Sequence, residues 1–234
     1  MSNANYHELP ELIPDELLER VKALSPAQLC DGMASLGIER NGCMDASLMP
    51  LDESKFMVGT ACTVDTEDGD NFPVHVAIYQ GKPGYVLVVA GKGYTERAYM
   101  GDLMGSAADA IGLAGIVVDG YVRDKTGLAA LDIPIYAKGF MQRSPLKKGP
   151  GEINTMVTCA GVKVAPGDLV VGDYDGVTVV PRARLEEVLE AAEKKGDYET
   201  KRRAAIAEYR RCREEGRELP NLAPGWVTEM LEGK

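Results

Sequence analysis

The sequence predicts a single α/β domain built on a mixed set of strands, and three observations predict it. Continuous apolar runs recur at YVLVVAG (85–91), GIVVDG (115–120) and IPIYAKG (133–139), the pattern of strands buried on both faces. A helix-patterned stretch, Asp102 to Ile111, lies between the first two. Alternating, β-branched segments, GTACTVDT (59–66) and DLVVGDYDGVTVVP (168–181), add further strands. No Pro/Gly/Ser-rich linker separates two cores and no repeat is visible, so residues 1–234 read as one domain.

The elements follow in order. Residues 1–13 read as a loose N-terminal arm. From Pro14 to Leu36 apolar residues recur at helical spacing with a break at Ser25-Pro26. Two short helices fit, the second capped by Ser25, with proline in its first position and its end near Gly37. Phe72 to Tyr79 reads as a short helix. GKGYTERAYMG (91–101) reads as a loop leading into the 102–111 helix. A Gly/Pro-rich turn region follows 133–139, then strands within 152–164. The DYDG of 173–176 is a hairpin turn between two β runs. From Arg182 to Gly216 the chain becomes a long helix of mixed charge, with Gly196 a possible interruption, and the tail ends in a helical piece carrying the single tryptophan.

Composition removes several classes of function. The chain has 36 acidic and 26 basic residues, a net charge of −10, and 6% aromatics. That balance repels a phosphate backbone and leaves few rings for base stacking, so no nucleic-acid partner is expected. Five cysteines without a CxxC pair suggest neither a disulfide framework nor a cysteine zinc site, and two histidines exclude a histidine-rich one. The thiols read as reduced. With no signal-peptide pattern and no apolar run of ~18 residues, the expected location is the cytoplasm, with no membrane partner. GKG after YVLVVA resembles a dinucleotide loop, but Glu96 stands where the third glycine belongs. His75 is read as packed or capping rather than as a metal ligand; Lys147 and Lys148, on the 141–148 loop, could meet an extra carboxylate or face water, and water is favoured.

The segment GDLMGSAADAIGLAGIVVDGYVRD (101–124) carries the chemistry. A helix over 102–111 runs roughly 15 Å, and a strand from Gly115 returns roughly the same length. Asp102 can therefore meet Arg123-Asp124. At that meeting the amides of Leu103 and Met104 form a helix N-terminus suited to a carboxylate. Arg123 can clamp the same anion, and Asp102 and Asp124 are hard oxygen donors for Mg²⁺ or Mn²⁺. From geometry alone a capping Asp102 and an exposed Arg123-Asp124 turn read equally well.

An aspartate, twenty residues, then Arg-Asp is also a family motif. With GTACTV, GYVLVVAG, GLAGIVVDGYVRD, GEINTMVTCAGVKVAPGD and VKVAPGDLVVGDYDGVTVVP, the chain resembles the 4-hydroxy-4-methyl-2-oxoglutarate / 4-carboxy-4-hydroxy-2-oxoadipate aldolases and their ribonuclease-activity regulator A-like (RraA-like) relatives. The resemblance implies a swivelling β/β/α sandwich assembled as a homotrimer or homohexamer, with active sites between subunits and residues 182–234 as a helical extension at an interface. It implies that Asp124 binds Mg²⁺ or Mn²⁺ directly and Asp102 through water. Arg123, Gly101 and the Leu103 and Met104 amides would hold a small anionic 2-oxo acid. An acid from a neighbouring C-terminal helix, Glu199 or else Glu193, would join the catalytic Arg123 and Asp102. The implied reaction is retro-aldol cleavage to pyruvate and a second oxo acid, with oxaloacetate decarboxylation as a side activity. The alternative is a protein that inhibits a ribonuclease; the Asp102 present here favours catalysis, since regulator-type relatives commonly carry another residue there.

Overall fold

The computed structural model describes residues 5–233. In chain order these form α1 (Asp15–Lys22), α2 (Pro26–Ser35), β1 (Met49–Pro50), β2 (Met57–Asp65), α3 (Phe72–Gln80), β3 (Tyr85–Ala98), α4 (Asp102–Ile111), β4 (Gly115–Val122) and α5 (Lys125–Ala129). There follow β5 (Ile135–Phe140), β6 (Glu152–Ile153), β7 (Val157–Cys159), β8 (Val162–Val164), β9 (Leu169–Asp173), β10 (Gly176–Val180), α6 (Leu185–Glu214) and α7 (Gly225–Leu231).

The three apolar runs become neighbouring parallel strands, because each is followed by a helix or loop long enough to cross back. The main sheet has the order β1-β5-β4-β3-β2-β9-β10, with β6 added to β2. β2 through β5 are mutually parallel where they pair, and β1, β6, β9 and β10 join antiparallel. Alternate residues of the central strands face two different cores. Leu87, Val89, Ile116 and Val118 pack with Val74 and Ile78 of α3 and Met104 and Ala108 of α4. Val86, Val88 and Val117 face the other way, onto Val157, Cys159, Val162 and Val164 of the β7–β8 hairpin. Hairpin, sheet and helices are thus the three layers of a β/β/α sandwich, which explains why the strands are apolar at every position. A third cluster joins α1, α2 and the start of α6 to β9 and β10 through Leu29, Met33, Val171, Val180 and Val188.

Three local expectations change. The segment expected as a loop at 91–101 continues as β3 to Ala98, pairing Tyr94 with Gly120 and Ala98 with Tyr121 across two register shifts. The extra residues bulge, with Lys92 at φ 56°, and so hide the strand's period. α6 runs through Gly196 without a break; a glycine costs a helix about 1 kcal/mol, and α6 is anchored on α2 by Val188, Leu189 and Ala192. Residues 1–4 of the expected arm lie outside the described residues, while the rest of it is docked. Tyr6 bridges to Ile153, His7 N–H donates to the Ile153 carbonyl at 3.1 Å, and Ile13 N–H donates to Thr60 Oγ1 at 2.9 Å. Among the described residues no helix is long and apolar enough to cross a membrane.

Candidate active site

The reversal from α4 to β4 closes as its lengths require. Gly112 in the left-handed conformation ends α4, and β4 returns beside β3 to bring Arg123 and Asp124 to the start of α4. Asp102 N–H points at Asp124 Oδ2 (3.4 Å), and Arg123 Nε lies 3.3 Å from the same oxygen. Asp124 itself sits at φ 59°, ψ 47°, a left-handed backbone that is rare for a non-glycine residue and typical of functional turns. Gly101 has extended backbone angles, so space rather than conformation demands glycine there. A Cβ on it would stand 2.2 Å from Asp124 Oδ2 and 3.0 Å from Arg123 Cγ.

A pocket of about 160 Å³ opens at this point, lined by Gly101, Asp102, Leu103, Met104, Arg123 and Asp124 together with Asn71, His75, Ser144 and Lys147. The six residues of the motif segment are therefore together in one place. The two helix amides are not equivalent. Met104 N–H is bonded to the Gly101 carbonyl at 3.1 Å, while Leu103 N–H has no partner among the described residues. Arg123 is steered by Ser144, whose Oγ accepts from Nη1 at 2.9 Å.

One residue of the lining, Asn71, has no counterpart in the sequence reading. Asn71 is 1% exposed; its Nδ2 donates to the Tyr99 carbonyl at 2.9 Å, which fixes the amide, and its Oδ1 has no partner among the described residues. A buried acceptor left open at a pocket wall is costly unless a ligand or water meets it. In the sequence Asn71 only closes the polar run DGDN (68–71) before the helix that carries His75. Asp70 proves to be a staple, accepting backbone N–H groups of Phe72, Lys148 and Gly149. Lys147, expected in water, lines the pocket from an exposed position. His75 stacks on Tyr79, and burial followed by the Lys147 charge pushes its pKa below the usual histidine value. At neutral pH the cation on this wall is therefore Lys147.

Glu199 and Glu193 do not line the pocket of their own chain. Glu193 is engaged by Arg20 through both oxygens, at 2.8 and 3.0 Å. Glu199 accepts from Gln28 Nε2 at 3.1 Å. The GKG segment lies inside β3 rather than between a strand and a helix, which removes the context a dinucleotide fingerprint needs.

A mixed α/β sandwich with an acid- and arginine-lined pocket at a helix N-terminus defines the class. The chain belongs to the RraA-like family, whose model, described as Aldolase/RraA, matches residues 26–179. A Halalkalibacterium halodurans protein whose name assigns it provisionally as a 4-hydroxy-4-methyl-2-oxoglutarate aldolase is 42% identical over 165 residues, 70% of this chain and 79% of that one. Among solved structures, an uncharacterized Pseudomonas syringae protein superposes with a TM-score of 0.74 at 27% identity, covering 85% of this chain and 96% of that one. A Streptomyces coelicolor protein described as an unusual member of the RraA family of RNase ES inhibitors gives 0.74 at 30% identity, covering 82% and 98%.

Proposed function

We infer that this chain is a pyruvate aldolase, cleaving a 4-hydroxy-2-oxo dicarboxylate or tricarboxylate such as 4-hydroxy-4-methyl-2-oxoglutarate or 4-carboxy-4-hydroxy-2-oxoadipate. The observation that carries the reading is the convergence of Asp102, Arg123, Asp124 and the α4 N-terminus on one small pocket. The name of the 42% identical relative supports the same class.

The donors fit Mg²⁺ or Mn²⁺. Among the described residues no three His, Cys, Asp or Glu side chains stand together as a cage, and one or two carboxylates with waters and substrate oxygens are what Mg²⁺ commonly takes. Asp124 would hold the ion directly and Asp102 through water; when bound, it supplies Lewis acidity toward the 2-oxo group.

The chain's own groups account for the rest. Arg123 and the open Leu103 N–H hold the substrate's carboxylate, with the Met104 amide available if its bond to Gly101 yields. The C4 hydroxyl proton leaves through water to Asp102, assisted by Glu199 of a neighbouring copy. The C3–C4 bond breaks, and its electron pair becomes a pyruvate enolate whose charge Arg123 offsets. Protonation at C3 gives pyruvate. Decarboxylation of oxaloacetate ends in the same enolate and is the natural side activity. Lys147 faces the far carboxylate, and Asn71 Oδ1 accepts from a donor of the bound molecule.

The trimer or hexamer finds support in the C-terminal extension, where Leu219, Trp226, Met230 and Leu231 stay exposed on one chain. The test is pyruvate release from 4-hydroxy-4-methyl-2-oxoglutarate with and without Mg²⁺. Activity that survives chelation, or survives in Asp124→Ala, sinks the mechanism. Ribonuclease inhibition is the second reading, carried by the description of the Streptomyces relative. Tight ribonuclease binding with no turnover of any 2-oxo acid in a panel would put it first.

A further inference from the structure

The five cysteines are all free, yet two of them, thirteen residues apart in sequence, have been brought face to face. Cys30 lies in the middle of α2. Cys43 follows the 3-10 turn Glu39–Gly42 and is held against β10 by a bridge to Thr178. Their Sγ atoms are 2.7 Å apart, closer than non-bonded sulfurs ordinarily approach and not far beyond the bonded distance of about 2.05 Å. Thr178 Oγ1 sits 3.1 Å from Cys30 Sγ, so the sulfur is aimed by β10 as well as by its own helix. Both side chains are half-buried rather than sealed. The other three thiols differ. Cys62 and Cys159 are buried in the sheet layers, and Cys212 donates to Glu208 one turn earlier on α6.

We propose that Cys30 and Cys43 are a redox-active dithiol that closes to an intramolecular disulfide, with a hydroperoxide as oxidant. One thiol sulfur attacks the peroxide; the O–O bond breaks, the sulfur gains a hydroxyl as sulfenic acid, and the peroxide's other oxygen leaves as an alcohol, or as water from hydrogen peroxide. The second sulfur then displaces that hydroxyl as water and the S–S bond forms. Two thiols lose two protons and two electrons, and the peroxide gains both. Burial and the neighbouring Cys43 thiol push the Cys30 pKa up to about 12. Thiolate is the reacting species, so closure is slow and answers sustained peroxide rather than a brief pulse. The bond would tie α2, the helix whose Gln28 holds Glu199, to the β10 edge.

The test treats the reduced full-length protein with hydrogen peroxide, then alkylates it in denaturant and maps peptides without reduction. The expected result is that two of the five cysteines escape alkylation, in one cross-linked peptide pair containing Cys30 and Cys43. Dithiothreitol should restore all five. Cys30→Ser and Cys43→Ser should each abolish the cross-link, and the variant that keeps the peroxide-attacking sulfur should stop at a sulfenic acid that dithiothreitol returns to thiol. Since the wild-type peptide map stands alone, a variant that fails to fold does not block the test. Five alkylated cysteines after peroxide, over-oxidation of either thiol without a cross-link, a bridge to another cysteine, or a disulfide between chains would each overturn the proposal.

Discussion

At the scale of single residues, the site separates charge from geometry. Arg123 spends Nε on Asp124 and Nη1 on Ser144, so the fork is pre-aimed, and in the proposed reaction its remaining N–H groups would meet the substrate. Lysine keeps the charge but not the fork. Arg123→Lys is therefore expected to lose about 10²-fold in kcat/KM, nearly as much as Arg123→Ala, the range seen when one transition-state donor is removed. Steady-state rates on 4-hydroxy-4-methyl-2-oxoglutarate check this; a near-normal Arg123→Lys enzyme would show that charge alone suffices. Lys147 predicts a different signature. If it meets the far carboxylate, Lys147→Ala should raise KM about tenfold, roughly the worth of one charged hydrogen bond, with kcat little changed. The motif residues were legible because helix and strand lengths over 102–124 cancel, a matter of local arithmetic. Asn71 and Ser144 were not, and Lys147 was legible only as one of two alternatives. They come from segments far apart in sequence, and Ser144 and Lys147 reach the pocket beside the bulged half of β3, where Arg97 binds the Ser144 carbonyl and Ala98 N–H the Arg143 carbonyl.

Among the elements, the contact of α2 with α6 sets the position of Glu199 and is closely packed. Gly32 lies where the helices cross; a Cβ there would stand 3.0 Å from both the Ala192 nitrogen and the Val188 oxygen, which are backbone atoms and cannot swing away. Overpacking of this kind costs about 1–3 kcal/mol, against a gain of about 1 kcal/mol in helix propensity. Gly32→Ala should accordingly lower Tm, and a thermal melt showing a rise would contradict so tight a crossing. α6 also carries a pH-dependent tie to α1. Arg20, by hydrogen bond and charge, holds the Glu193 carboxyl below its usual 4.5. A depressed carboxyl contributes stability above its unfolded pKa and loses it as pH falls through the folded value. Glu193→Gln should thus be less stable than wild type at pH 7, by about 0.5 kcal/mol for so exposed a pair, with the difference vanishing in denaturant titrations below the folded pKa. The helices and the buried strands were readable from the sequence because apolar periodicity follows from burial on one face or two. The second half of β3 was not, since bulges and a positive-φ lysine erase the period of two. The short α5 and β1 were too brief to leave any periodic signal at all.

For the whole molecule, the proposed part of Glu199 in the reaction is a matter of assembly. One chain gathers Asp102, Arg123 and Asp124 but leaves Glu199 on α6, outside their pocket. If the assembly is a closed ring of like interfaces and each pocket takes Glu199 from a neighbour, Asp124 and Glu199 of one site belong to different chains. That arrangement predicts complementation. Asp124→Ala and Glu199→Ala should each be inactive or nearly so alone. Unfolded together, refolded in equal amounts and assayed, they should recover about a quarter of wild-type activity, because half the pockets keep Asp124 and half of those meet an intact Glu199. The recovered rate should fall away when either variant is in large excess. Were Glu199 to act in its own chain, every pocket of the mixture would lack one acid and nothing would return. Were Glu199 uninvolved, the Glu199→Ala protein would already be active before mixing. The three outcomes differ in kind rather than degree, and the wild-type protein carried through the same refolding gives the scale against which the quarter is read.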